Sequence, residues 1–316
     1  MAEPRKLTVL ITGCSPGGMG AALAVAFHIA GHHVYASARN LDKLTPLSSL
    51  GIHTIPLDVT STVSIASAVD IITQALATHS CTPSTIEPRG LDILINNAGG
   101  HYAAPISDVL LDSAKTLFDL NVWAQLAVTQ AFLPLLMKSA SYTPVRDGPA
   151  TPMIVNHTSV GSTAAMPWQS VYSASKAAFS RLSDGMRLEL AAFGIRVVEL
   201  KTAMVQSNFI QNSNINNVEG KQQMLPEGSF YEPAREMVEA AMSQKQFDGK
   251  GTTAEKWAEG VMSDLMKRNP PAMIWRGESA VWARLAAFMP VGVSDGFLRK
   301  MMKLDVVEDI IQKSRR

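Results

Sequence analysis

Leu7-Thr8-Val9-Leu10-Ile11 runs straight into Thr12-Gly13-Cys14-Ser15-Pro16-Gly17-Gly18-Met19-Gly20, and that turn opens onto Ala21 to Ala30, mostly Ala, Leu, Val and Phe. The first run is short, apolar and rich in β-branched residues, as a buried parallel strand is. The last reads as a buried helix. Strand, glycine-rich turn and helix in immediate succession is the context a dinucleotide fingerprint needs. The glycines allow tight turning and let backbone N–H groups approach a pyrophosphate at the helix N-terminus. A merely structural turn has the same composition, so its meaning depends on the rest of the chain.

The rest keeps the same rhythm. Strands are predicted at His33 to Arg39, Thr54 to Val59, Leu91 to Ile95, Met153 to His157, Ile195 to Leu200 and Ala272 to Gly277. Helical patterns start at about Ser61, run from about Ser113 to Lys138, and run from Tyr172 to about Phe193, where Gly194 ends the last. Pro134 is expected to kink or restart the second. Residues 80 to 90 and 139 to 152 are rich in Ser, Thr, Pro and Gly and are predicted loops. Short apolar strands alternating with helices predict an α/β fold: a single doubly wound Rossmann-type domain with about seven mostly parallel strands flanked by helices.

In such a sheet, ligands bind beyond the C-terminal ends of the strands. The second strand ends Ser37-Ala38-Arg39, with no acid for a ribose 2′-hydroxyl. A guanidinium there suits a 2′-phosphate, which favours NADP(H); the plain alternative is a solvated charge. Asp58 ends the third strand, where it either accepts from an adenine amino group or caps the following helix. Asn96-Asn97-Ala98-Gly99-Gly100 ends the fourth. Asn121 lies in mid-helix, a poor place for asparagine, as an exposed accident or as a polar group turned towards a site.

Ser159 falls just past the fifth strand, and Tyr172-Ser173-Ala174-Ser175-Lys176 follows. Tyr172 in the first turn of a helix puts Lys176 one turn on, on the same face. An ammonium group close to a phenol favours the phenolate and lowers its pKa, so the pair can pass a proton to or from a substrate oxygen. Ser159 can orient a carbonyl or hydroxyl beside it. Tyr-x-x-x-Lys alone is common by chance. Four separate stretches that all follow strands, and so meet at one sheet edge, are not.

Together Thr12-Gly13, Gly18-Met19-Gly20, Asn96-Asn97-Ala98-Gly99, Asn121, Ser159, Tyr172 and Lys176 stand in the order of the short-chain dehydrogenases/reductases, which the chain resembles over about residues 7 to 210. Val34 to Arg39 and Tyr172 to Lys176 resemble the NADP(H)-using branch, with 1-acyl-dihydroxyacetone-phosphate reductases, 17β-hydroxysteroid dehydrogenases and retinol dehydrogenases; the first group is nearest. The resemblance implies an NADPH-dependent oxidoreductase that reduces a ketone or aldehyde reversibly. Tyr172 would be the general acid, Lys176 would lower its pKa and bind the nicotinamide ribose, Ser159 would hold the carbonyl, and Asn121 would fix a water in a proton relay. Gly13, Ser15, Gly18, Met19 and Gly20 would line the phosphates, Arg39 the 2′-phosphate, Asp58 the adenine and Asn97 its ribose. Val205 and Ser207 match positions that touch the nicotinamide amide. The substrate expected is a hydrophobic lipid, steroid-like or polyketide-derived carbonyl compound.

Two departures stand out. Four residues separate Gly13 from Gly18 where three are usual, which leaves the phosphate contact open between Gly17 and Gly18. The usual Pro-Gly after the sixth strand is Thr202-Ala203, and alanine lacks glycine's freedom at positive φ. The alternative functions are a catalytically idle NADP(H) sensor or scaffold, which should tolerate losing the four polar residues, and a sugar epimerase or dehydratase, against which Asn97 and Asn121 speak.

Residues 7–207 are expected to form the cofactor-binding and catalytic core, and 208–316 a substrate lid, the last strand and C-terminal helices. Asn212, Asn214, Asn216 and Asn217 suit a mobile lid or a plain surface loop. Ser279 is expected to cap a helix with Val281, Trp282, Leu285, Phe288 and Met289 on one side, ended by Pro290. That stripe is core, a subunit contact, or a surface that dips into a membrane, near Arg284, Arg299, Lys300 and Lys303. A homo-oligomer, dimer or tetramer, is expected through the helices around Asn121 and Tyr172. The net charge of +1 gives no footprint for nucleic acid. Two cysteines, Cys14 and Cys81, suggest neither a disulfide framework nor a metal site. The N-terminus lacks a signal-peptide pattern and no apolar run is long enough to span a membrane, so a cytoplasmic protein, peripheral on an internal membrane at most, is expected.

Overall fold

A computed structural model describes residues 6–78, 90–141, 149–164, 166–213, 224–290 and 292–316. Cys81, Asn214, Asn216, Asn217 and most of the two predicted loops lie outside the described residues.

The chain begins β1 (Thr8–Ile11), α1 (Met19–Ile29), β2 (His33–Ala38), a short α2 (Thr45–Ser48), β3 (His53–Pro56), α3 (Thr62–Thr78) and β4 (Ile93–Asn96). It continues with α4 (Leu111–Phe118), α5 (Ala124–Ala140), β5 (Met153–Ser159), α6 (Ser170–Glu189) and β6 (Arg196–Thr202). After these come β7 (Val205–Gln206), α7 (Phe209–Ser213), α8 (Arg235–Met242), β8 (Thr252–Thr253), α9 (Ala254–Leu265) and β9 (Met273–Arg276). Three helices close the chain: α10 (Ala280–Ala286), α11 (Asp295–Met301) and α12 (Leu304–Ser314).

Seven strands form one parallel sheet in the order β3-β2-β1-β4-β5-β6-β9, as the strand rhythm predicts. Alternation along β1 explains the two layers. Val9 and Ile11 point into a core with Phe27 of α1 and Trp257 of α9. Leu10 points the other way, against Ile72, Phe132 and Leu136 of α3 and α5. The connection through α3 carries the chain from β3 past β1 to β4, so the strand order reverses between β1 and β4. A crevice opens at such a switch point, beyond the C-terminal strand ends.

Pro134 does not restart its helix: α5 runs through it. The carbonyl it cannot serve belongs to Gln130, which is exposed and open to water. The irregularity comes earlier, as a π-turn over Asp119–Trp123 between α4 and α5, with Asn121 at its centre. Ser279 does not cap α10 with its side chain; it sits in the left-handed region, at φ 67°. That helix stops at Ala286, before Phe288 and Met289, and its stripe is not core: Trp282 is 73% exposed and Phe288 82%. Ala203 needs no left-handed backbone. The left-handed residue at that corner is Gly277 (φ 105°), which packs on Ala203, whose N–H donates to the Arg276 carbonyl at 2.8 Å.

Candidate active site

The crevice is a cavity of about 2400 Å³. Of the residues the sequence singles out, Gly13, Ser15, Gly18, Met19, Arg39, Asp58, Asn97, Ser159, Tyr172, Lys176, Val205 and Ser207 line it. Gly20 and Asn121 do not; they act from behind its wall.

Two glycines are fixed by close approach. A Cβ on Gly13, at φ 73°, would lie 2.7 Å from the Ala98 Cα, and one on Gly20 would lie 2.4 Å from the Asn97 Nδ2. Gly17 takes the left-handed turn, and Gly18 is the extended N-cap of α1. Gly18 offers no side-chain cap and the first turn of α1 holds no acid. Its leading N–H groups therefore present a positive end to the cavity, which suits a phosphate. Asn97 fastens this turn to β4: its Nδ2 donates to the Thr12 and Gly13 carbonyls at 2.8 and 3.0 Å, and its Oδ1 meets His157 Nδ1 at 2.9 Å. Its amide is thus committed to bracing.

Arg39 and Lys43 are exposed beside the end of β2. Lys43 escaped the sequence reading because it lies beyond the strand, in the turn before α2. Asp58 does not cap α3; Ser61 does so, accepting from Ser64 N–H, while Asp58 Oδ1 accepts from the Thr60 N–H and hydroxyl. Burial opposes its charge, but Thr60 and the Arg39 guanidinium hold the carboxyl below its usual range.

Tyr172 lies in the first turn of α6 and is buried. Burial pushes its phenol up to about 12, and a hydrogen bond with Ser159 pulls it back. The lowering expected from Lys176 is not found: burial dominates, and Ser159 is the group that opposes it. Lys176 itself is brought down to about 8 by burial, and its Nζ donates to the His157 carbonyl at 3.0 Å. Ser159 Oγ accepts from Gly161 N–H at 3.1 Å. A Cβ on Gly99 would stand 3.2 Å from Asn121 Oδ1 and 3.4 Å from Lys176 Nζ, so the asparagine and the lysine converge on this small residue.

Asn121 is fully buried. Its Oδ1 accepts from Gly100 N–H at 2.8 Å, and its Nδ2 donates to the Gly100 carbonyl and to Ser175 Oγ at 3.1 and 3.0 Å. Gln125 holds the π-turn to the same strand end, donating to the Ala98 and Leu120 carbonyls at 2.8 and 2.9 Å. Ser175, Gln125 and His157 were missed because nothing in a linear pattern marks a buried bracing residue. His157 also contacts Thr202 Oγ1 at 2.7 Å and stacks on Trp257 at 5.4 Å. Burial, with Lys176 nearby, pushes it down to about 3.

A doubly wound sheet with an anion-ready helix start and a buried Tyr, Lys and Ser at one edge defines a nucleotide-dependent oxidoreductase. The family model for short chain dehydrogenase matches residues 7–217, and the chain belongs to that family. It is 46% identical over 307 residues to a short-chain dehydrogenase/reductase of Pestalotiopsis microspora, covering 97% of this chain and 98% of that one. It is 30% identical over 306 residues to the NADPH-dependent 1-acyldihydroxyacetone phosphate reductase of Schizosaccharomyces pombe, covering 94% of each. Among solved structures, a short-chain dehydrogenase from Streptomyces avermitilis superposes with a TM-score of 0.70 at 24% identity, covering 96% of this chain and 98% of that one. The protein is an oxidoreductase acting between carbonyl and alcohol groups with a nicotinamide dinucleotide.

Proposed function

We propose that the protein is an NADPH-dependent carbonyl reductase, reversible as an alcohol dehydrogenase, in which Tyr172 gives the proton. The observation that carries this is the buried phenol of Tyr172 hydrogen-bonded to Ser159, with Lys176 one helical turn on. The cofactor is NADP(H). Arg39 follows β2, which itself ends without an acid, Lys43 adds a second cation at the cavity, and the Schizosaccharomyces pombe relative bears an NADPH-dependent name. Gly13, Ser15, Gly18 and Met19 line the phosphate end, with Gly20 packed beneath. Asp58 would take the adenine, Asn97 would steady the ribose side, and Val205 and Ser207 would hold the nicotinamide amide.

When bound, the cofactor supplies a hydride equivalent. Ser159 orients the substrate carbonyl, and a phenol that stays neutral well above pH 7 donates to the developing alkoxide. Lys176, largely protonated at neutral pH, restores the proton through a water held at the Asn121 turn. The substrate is a hydrophobic lipid, steroid-like or polyketide-derived ketone, and residues 208–316 form the lid. Within the family the chain is assigned to the branch of acyl-dihydroxyacetone-phosphate reductases and 17β-hydroxysteroid dehydrogenases, which the 30% identity to the Schizosaccharomyces pombe reductase supports.

The protein acts in a reducing, cytoplasmic setting. Exposed Trp123, Met137 and Leu188 on the α4 to α6 side support pairing with a second copy. Exposed Trp282, Phe288 and Phe297, with Arg284 and Lys300 among them, support peripheral contact with an anionic membrane. NADPH consumption across a panel of lipid, steroid and polyketide-type ketones, with NADH as control, tests the function. Oxidation of NADPH by at least one ketone is expected. Conversion of a nucleotide sugar with no net NADPH loss would replace this reading with an epimerase or dehydratase.

A further inference from the structure

Beside Tyr172 the cavity wall carries a polar group that the proton path does not use. His101 is buried, with its ring 5.2 Å from that of Tyr172 and 6.3 Å from that of Phe209. Gln244 Nε2 lies 3.3 Å from His101 Nε2, and His101 also hydrogen-bonds Gln169. All three residues line the cavity, and Gln169 is only 8% exposed. They come from three distant stretches: the segment after β4, the approach to α6, and the turn after α8.

The backbone is bent to bring them together. Among the described residues only Trp168, Gln244, Ser279 and Lys303 take positive φ without being glycine. Two of these four build this cluster. Gln244 itself is at φ 56°, and Trp168, at φ 67°, immediately precedes Gln169. Left-handed backbone is costly for a bulky side chain and persists only where its surroundings enforce it. Here the Trp168 carbonyl is held by Ala104 N–H at 2.7 Å, three residues beyond His101.

Each amide keeps hydrogen-bonding capacity after serving His101. No member of the cluster carries a formal charge at neutral pH, since burial pushes His101 down to about 4. A carboxylate or phosphate would lose its water here without gaining a counter-charge. A hydroxyl or carbonyl oxygen would gain donors and acceptors at little cost. Apolar side chains adjoin them: Phe209 lies beside His101, and Met166, whose carbonyl accepts from the Gln169 N–H, lines the same cavity.

We propose that Gln169 and Gln244, spaced by His101, form a neutral clamp for a second oxygen of the substrate, beside the carbonyl that Tyr172 protonates. The substrate class is then an uncharged, multiply oxygenated ketone, not a simple lipid ketone and not a phosphorylated one. This deepens, and rests on, the reading of the protein as a carbonyl reductase.

The experiment compares 1-tetralone with its ring-hydroxylated isomers and with a ring-carboxylated analogue, by kcat/KM with NADPH. At least one hydroxylated isomer is expected to exceed the parent by about tenfold, the upper end of what one net neutral hydrogen bond contributes. In Gln169→Leu and Gln244→Leu that ratio should fall to about one. Gln244→Gly removes the amide and relieves the backbone, so it should lose the same discrimination while melting no lower than the wild type. No preference for any hydroxylated isomer, a preference kept by the variants, or a preference for the carboxylate would overturn the clamp. If no ketone at all consumes NADPH, the carbonyl-reductase reading fails first and the clamp falls with it.

Discussion

Asn121 Nδ2 donates to Ser175 Oγ at 3.0 Å, and Ser175 in turn donates to the Tyr172 carbonyl at 2.7 Å. This chain ties the π-turn between α4 and α5 to the turn of α6 that carries both Tyr172 and Lys176. Ser175→Ala leaves a buried amide N–H unpaired, which costs about 1–3 kcal/mol. Urea unfolding should show that loss, and kcat should fall with it as the phenol and ammonium lose their register.

Arg39 and Lys43 are exposed and flank the end of β2. Arg39→Ala should raise KM for NADPH by roughly tenfold to a hundredfold, the range of one charged hydrogen bond, and leave KM for NADH almost untouched. Initial rates with both cofactors check this. An equal loss with both would make Arg39 a structural residue.

Two buried histidines make stability depend on pH. His101 is pushed down to about 4 and His157 to about 3, chiefly by burial, from an ordinary value of 6.5. The unfolded chain therefore binds more protons than the native one below pH 6.5. Stability is fully present above that pH and is lost as pH falls towards 4 and then 3. On the order of 3 kcal/mol should go between pH 6.5 and 5 if both histidines contribute. Denaturant unfolding at a series of pH values measures the loss, and His101→Gln should remove about half of it.

Glu199 and Lys201 form a buried ion pair at 2.6 Å, both under 5% exposed. Lys201 Nζ also donates to Ser162 and Ser180, and Thr158 donates to Glu199. The pair thus braces the stretch that carries Ser159. Lys201→Met strands a carboxylate and should cost about 3–5 kcal/mol, whereas adding Glu199→Gln should recover part of that loss. A double-mutant cycle by thermal unfolding checks the coupling.

The seven strands of the sheet and the gathering of Ser159, Tyr172 and Lys176 at its edge were legible because both rest on local signals. Strands such as Leu7 to Ile11 are short apolar runs, and Ser159, Tyr172 and Lys176 keep fixed positions relative to them. What stayed hidden is set by tertiary packing. Glu199 and Lys201, two apart on one strand, drew no notice in the sequence, because their pairing depends on α6 covering that face, where Ser180 accepts from Lys201. Asn121 read as a helix misfit, and its reason is a π-turn that no pattern announces. Pro134 read as a break, yet an exposed carbonyl one turn back makes it tolerable. His101 followed the Asn-Asn-Ala-Gly run without notice, since its two glutamines lie 68 and 143 positions further on.

The central claim is that Tyr172 gives the proton. Tyr172→Phe removes one hydroxyl and keeps the ring against His101 and Phe209. NADPH binding, followed by fluorescence, should stay within a few-fold of the wild type, while ketone reduction falls by at least about a hundredfold. Unchanged turnover in this variant would contradict the account.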